Sequence, residues 1–341
     1  AGGPQTVWAP KVYLANTTLR LTGQGALIGG GNLQLSANSL TNAGNLFAER
    51  ALNIDADQFL HQGGDIRAER IDVQAESLTL STNLQDALRQ ASMSAQELSL
   101  RGGDIQLRGA KLEATRHLSL SARDNLDIAA ARSTTTGNID VIAGAMGNRT
   151  SDGMEEAGQR MASVSGEWQQ ALGSQLNAGG NLSLRAGQDI TLQGSQASAG
   201  GTAQVQAGGN VNLLAETTTN STQLEADSRT SSVSNRREED RLHLSSLSGD
   251  RGVTLQAGEN LTAEGAQVDS RSGHIGLDAQ TVNIRDARQR VADQDSERKR
   301  EGSTNSRREM ESVSEHSVGS TFSGRDGVAV MAREGDITVT G

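Results

Sequence analysis

One motif recurs along the chain and sharply limits what it can fold into. LSLRGGDIQLRG (98–109), HLSLSARDNLDIAA (117–130), NLSLRAGQDITLQG (181–194), GVTLQAGENLTAEG (252–265) and GVAVMAREGDITVTG (327–341) share one plan. A short run of alternating apolar and polar residues meets a Gly/Asn/Asp turn, and a second alternating run follows. Alternation is the two-residue period of a half-buried strand. The turn residues are those that tolerate unusual backbone angles.

The spacing is regular. Gly179 to Ala199 and Gly200 to Asn220 are consecutive blocks of 21 residues, and NLFAERALNIDA (45–56) is followed by DIRAERIDVQA (65–75) 20 residues on. Such a unit is too short for a βαβ crossover, which takes about 30 residues. It suits one coil of a parallel β-solenoid, whose apolar face is covered only when the next coil stacks on it at about 4.8 Å. A longer period lies above this one, because Asn125, Asp189 and Asn260 open comparable two-coil blocks, each followed by an irregular stretch. The expectation is one continuous all-β solenoid over residues 1–341, with about 20–21 residues per coil and insertions near 81–97, 145–177, 216–248 and 286–324. Insertions of this sort project from one face of a repeat array.

Composition agrees with narrow, repetitive layers. Aromatics are only 2% of the 341 residues, so the large rings that dominate ordinary cores are missing and Leu, Ile, Val and Ala must do the packing. A chain this polar could also be disordered, but the regular apolar spacing decides against it. No stretch approaches the roughly 18 consecutive apolar residues of a membrane span. The net charge of −10 gives nucleic-acid binding little support, and the absence of Cys excludes disulfide and thiolate chemistry. Ala1 opens directly on a polar, Gly-rich run rather than a secretory leader, as expected of an excised or processed piece.

The insertions read differently from the coils. Residues 216–248 alternate at both ends and predict a long β-hairpin reversing near Ser231 to Asn235. Residues 286–324 have the same look, with a reversal near Gly302 to Asn305, although charges at i,i+4 make a helix an alternative for their first half. Ala157, Met161, Val164, Trp168 and Leu172, and likewise Leu84, Leu88, Ala91 and Ala95, recur at spacings of three and four, which is a helical pattern. Hairpin and short helix both remain open for these two segments.

No catalytic constellation is legible. The five histidines (His61, His117, His243, His274 and His316) are scattered without metal-ligand spacing, and nothing resembles a Ser/His/Asp triad. Asp65, Asp104, Asp189 and Asp336 occupy equivalent turn positions, and Asn125, Asn181 and Asn260 stand at the matching ones, which favours a backbone-satisfying role over a Ca²⁺ site. AGGN at 178–181 and 207–210 lacks the Lys-Ser/Thr of a phosphate loop. The expectation is no enzyme, no cofactor, no metal and no small-molecule substrate. Candidate partner-binding residues are Arg236, Arg237, Arg298, Lys299, Arg300, Arg307, Arg308 and Trp168. The basic residues are interleaved with Glu and Asp and have no aromatics for base stacking, so a salt-bridged surface is the plainer reading. Trp168 could equally anchor its own insertion.

The motifs AGGNLSLRAGQDITLQGSQASAGGTAQVQAGGNVNLLAETTT (178–219) and LQAGENLTAEGAQVDSRSGHIGLDAQTVNIRDARQ (255–289), each followed by a Ser/Thr/charge-rich extension, resemble the filamentous haemagglutinin family. The resemblance is to the haemagglutinin-repeat region of two-partner secretion exoproteins of the contact-dependent growth inhibition (CdiA) type. It covers roughly Leu98 to Gly341, and more weakly Gly31 to Leu80. It implies a right-handed parallel β-helix and export through an outer-membrane transporter partner. It also implies display at the surface of a Gram-negative bacterium, facing a target cell's outer membrane. The function it suggests is a structural shaft and delivery region. An adhesin segment that binds a surface receptor or glycan through its projecting hairpins is the alternative.

Overall fold

The computed structural model describes residues 26–84, 89–143, 160–228 and 230–341. Among them, 22 strands join in one parallel system and six more form a separate antiparallel sheet. The parallel system is the solenoid. A representative coil has three strands, Gln175–Ala178, Leu182–Ala186 and Ile190–Gln193, and the next repeats them as Gln196–Ala199, Thr202–Ala207 and Val211–Leu214. Each strand pairs with its equivalent one coil away, so Leu182 lies beside Ala203 and Ile190 beside Val211, 21 residues on. Uninterrupted coils range from 18 residues (Leu27 beside Asn45) to 22 (Val253 beside Ile275).

Period-two alternation places every second side chain inside, and parallel pairing stacks like on like. Leu35, Ile54, Val73, Leu100, Leu120, Leu184, Val205, Leu255, Leu277 and Val330 form one such column. Two residues on, at the corner, every coil carries Ala or Gly: Ala37, Ala56, Ala75, Gly102, Ala122, Ala186, Ala207, Ala257, Ala279 and Ala332. A tight corner leaves no room for a longer side chain, which accounts for the scarcity of aromatics. Phe59 is fully buried, its ring parallel to that of His61 with centroids 6.5 Å apart.

The Asp/Asn turns form a ladder. The backbone N–H of Asn125 donates to Asp104 Oδ1 (3.2 Å), that of Asp189 to Asn125 Oδ1 (3.3 Å), that of Asn210 to Asp189 Oδ1 (2.7 Å) and that of Asn260 to Asn210 Oδ1 (3.1 Å). Register places Asp336 on this same corner. Asp65 and Asn181 belong to other corners, where Asp65 stacks on Asn45 and Asn181 lies between His117 and Thr202. The expectation of one equivalent position for all of them is therefore corrected. Alternating runs look alike on every side of a coil, and only the register tells the sides apart.

Two expected insertions also change. The segment given as 81–97 contracts, because Ala91–Arg108 is a strand with Ala91, Met93 and Ala95 in the core. Residues 85–88, with Leu88, lie outside the described residues. The segment given as 145–177 is a hairpin that starts earlier, with strands Ala131–Ala143 and Arg160–Leu172, and Gln175–Ala178 already belongs to the next coil. Ala157 lies outside the described residues. The helical alternative fails for 160–172, since Val164, Trp168 and Leu172 are four apart and so also share one side of a strand.

Candidate interaction surface

Three hairpins leave the shaft at the same corner. The first is Ala131–Ala143 with Arg160–Leu172, the second Glu216–Asp227 with Ser231–His243, and the third Ala287–Glu301 with Thr304–Val318. The second reverses between Asp227 and Ser231, a few residues before the expected 231–235, and the third at Gly302 and Ser303. The first half of the third is strand along its whole length, so its helical alternative is also overturned. The hairpins do not stand apart. Arg160–Leu172 pairs with Glu216–Asp227, and Ser231–His243 pairs with Ala287–Glu301, giving one six-stranded antiparallel fin.

Coil geometry explains why they meet. One hairpin follows every second coil, so successive exits are about 9.6 Å apart, which is the width of two strands at about 4.8 Å each. Each hairpin fills the space to the next. The intervening coil must close at that corner, and it does so through a left-handed glycine: Gly109 (φ 64°), Gly194 (φ 53°) and Gly265 (φ 57°). A Cβ on these residues would run into Ala131, Glu216 and Ala287 respectively, which are the first residues of the three hairpins.

Where the chain leaves and returns, backbone groups lose their ladder partners, and serines replace them, three of them buried and Ser320 half-buried. Ser174 donates to Ala129 O (2.8 Å) and accepts from Ala110 N–H (3.1 Å), and Ser195 accepts from Ser174 N–H (3.0 Å). Ser245 donates to Leu192 O (2.9 Å) or Leu214 O (2.5 Å). Ser320 donates to Arg285 O (2.9 Å) and accepts from Ala266 N–H (3.1 Å). Sequence reasoning missed these residues. Their signal is a Ser after Gly or Leu opening a coil, as in GSQLNA, GSQASA, LSSLSG and GSTFSG. Beside them, Glu216 is buried at the root of the second hairpin and takes the Arg132 guanidinium of the first, which ties the two together.

The fin has two unlike faces. Cross-strand register puts Trp168, Leu224, Val233 and Met310 on one of them, each between 39% and 51% exposed. Trp168 lies across Gly137 and Gly166, which are directly opposite each other and would strike the indole if either carried a Cβ. On the other face are Arg236, Arg298, Arg300 and Arg307. The sequence-predicted cations therefore divide. Arg236 lies on Glu238 (2.5 Å), and Lys299 on Glu301 (2.7 Å). Arg237 reaches Glu239 (3.3 Å) and Asp293 (3.2 Å); its hydrogen bond to Glu239, then the charge of Asp293, hold the guanidinium above its usual pKa. Arg307 pairs with Glu309, and Arg308 donates to the Met310 sulfur (3.3 Å). Arg298 and Arg300 have no carboxylate partner among the described residues. With Lys299 and Arg307 they line a groove of about 390 Å³ between the tips of the second and third hairpins. Trp168 is not part of it.

A parallel solenoid carrying an antiparallel fin defines a class, that of β-solenoid repeat proteins. Two haemagglutinin-repeat families match the chain, one over residues 82–223 and the other over 1–64, 28–77 and 217–295. The chain is a haemagglutinin-repeat region of the filamentous haemagglutinin/CdiA type. It is 27% identical over 223 residues to a tRNA nuclease CdiA of Yersinia mollaretii, covering 55% of this chain and 8% of that protein. It is 29% identical over 168 residues to a tRNA nuclease CdiA of Escherichia coli O6:K15:H31, covering 41% of this chain and 5% of that protein. The chain thus spans less than a tenth of these relatives. No solved structure matches it.

Proposed function

We propose that this chain is the structural shaft and delivery region of a secreted exoprotein on a Gram-negative surface, without catalytic activity of its own. The observation that carries the reading is the match between coil pitch and hairpin width, which makes shaft and fin one braced body. The likeness to CdiA proteins supports it. In this reading an outer-membrane transporter of the two-partner type exports the chain unfolded. Each coil then buries its apolar columns on the coil before it, and that burial opposes backsliding. The shaft holds whatever lies beyond it toward a target cell's outer membrane.

The test uses the parent exoprotein. Replacing the three hairpins by closures like Gly194-Ser195 leaves a bare solenoid, and a charged residue at Leu213 disrupts the solenoid itself. Surface display and transfer to target cells should survive the first change and fail with the second. Normal transfer by the disrupted shaft would sink the proposal. A bare shaft that is displayed but no longer binds target cells would favour the second reading, an adhesin acting through the fin, for which the unpaired cations of the groove speak.

A further inference from the structure

We propose that the groove between the tips of the second and third hairpins is a binding site for clustered phosphate groups, read by the Arg298 and Arg300 guanidiniums. Along the body of the fin, Arg236, Arg237 and Arg290 each lie within 4.0 Å of a carboxylate. The tip is arranged the other way. Arg298 stands directly opposite Arg307 across the third hairpin, and like charges in that position destabilise a strand pair. Lys299 and Arg307 have partners in Glu301 and Glu309, yet among the described residues no carboxylate pairs with Arg298 or Arg300. The groove they line contains no carboxylate. A cluster of this kind, in a chain of net charge −10, is explained by an external anion that supplies the missing charge.

The lining selects the kind of anion. The guanidiniums of Arg298, Arg300 and Arg307 share this face, and the hydroxyl of Ser232, directly opposite Arg298, adds a short-range donor. A planar carboxylate offers two oxygens and one charge. A phosphate monoester offers three outer oxygens and close to two charges, and guanidinium forks bind such oxygens in pairs. At about 390 Å³ the groove holds more than one such group. Register fixes the cations on rigid paired strands, so little ordering is needed on binding. The site does not depend on the shaft reading, because the groove can bind phosphate whether or not the chain delivers anything.

The full chain is titrated with sodium tripolyphosphate by calorimetry at about 0.15 M salt, where diffuse charge attraction is screened. It is also floated with phosphatidylcholine vesicles with and without phosphatidic acid. Arg298→Gln with Arg300→Gln should weaken tripolyphosphate binding at least about tenfold, with an unchanged circular dichroism spectrum. Arg236→Gln, outside the groove, should leave it unchanged. The lysine pair, Arg298→Lys with Arg300→Lys, should retain part of the affinity, since it keeps the charge and loses the fork. Binding to tripolyphosphate alone supports a soluble source of phosphate, and additional binding to phosphatidic acid vesicles supports a lipid headgroup. No binding to either probe overturns the proposal, as does a glutamine pair that binds like the parent or an equal loss with Arg236→Gln.

Discussion

The shaft and the fin are both β-structure, and they are held together by opposite means. In the shaft, strands pair in parallel with their own equivalents, and inward side chains such as Leu255, Ile275 and Val282 are completely buried. In the fin, strands pair antiparallel with unrelated neighbours, and no residue of Thr304–Val318 is buried. Apart from the buried Glu216 at its root, its side-chain links are exposed ion pairs and hydrogen bonds, which contribute little in water. An isolated two-stranded hairpin is marginal in water. The fin is ordered because the shaft fixes where each hairpin starts and turns three weak units into one sheet. Apolar burial sets the pitch, and backbone hydrogen bonding uses it.

The comparison can be broken most directly in the shaft. Leu255→Ala should destabilise the protein by about 2–5 kcal/mol in denaturant titrations, since it leaves a cavity in a column that cannot collapse. Hydrogen exchange should quicken in the fin as well as in the coils around it. Gly194→Ala tests the link between the two regions. It forces a side chain into a left-handed conformation and against Glu216, and should cost about 1–3 kcal/mol. Amide exchange in 216–243 would then rise more than in 98–129, and equal rises would mean that the hairpin is not seated on that corner. Ser245→Ala removes the buried donor to the Leu192 or Leu214 carbonyl and should cost about 1–2 kcal/mol, with Ser245→Thr recovering part of it.

Acid should act on the shaft at one place. His61 is buried in the column that contains Leu80 and Leu107. Burial is the chief cause of its lowered pKa, outweighing the backbone carbonyls of Asn42, Ser92 and Gly64. The ring is therefore neutral in the fold, donating from Nε2 to Gly64 O (3.1 Å) and accepting at Nδ1 from Asn42 Nδ2 (3.1 Å). The unfolded chain takes up the proton first, near pH 6.5, so this contribution is complete above that pH and declines as pH falls toward the lowered folded value. Protection factors in residues 45–80, taken relative to the intrinsic exchange rate at each pH, should fall between pH 7 and pH 5 by up to about tenfold per unit, and His61→Leu should flatten the profile. The smallest effect belongs to the fin's apolar face: Leu224→Ser should change stability by less than about 0.5 kcal/mol. A larger loss there would show that the fin has a core of its own.

The coils were legible in the sequence because alternation is local and the repeat is in plain view. The two-coil block was legible too, and so was the second hairpin, apart from its reversal point. The helical misreadings share one cause. A spacing of four is a multiple of the strand period as well as close to a helical turn, so Val164, Trp168 and Leu172 satisfied both. Ala91, Met93 and Ala95 alternate plainly once Met93 is included. The fin could not be read at all, since it depends on pairing between segments such as Glu167 and Ser221 or Glu239 and Val291. Nor could the lack of a carboxylate partner for Arg298 and Arg300, because each has one acidic neighbour in sequence, Glu297 and Glu301, and only cross-strand register brings Arg307 beside Arg298.

Alternation of closed and open corners gives the molecule something like a reading frame. Coils count in ones along the shaft, but the fin counts in twos. Loss of a single closed coil, the one ending at Gly194, would leave a shorter and otherwise sound solenoid while bringing two hairpins into the space of one strand pair. Loss of a closed coil together with the open coil after it would keep the phase, and the remaining hairpins would still join. Length is therefore free to drift in this fibre only in even steps wherever the fin must stay whole, and any chain that grows or shrinks by recombination between its coils inherits that parity.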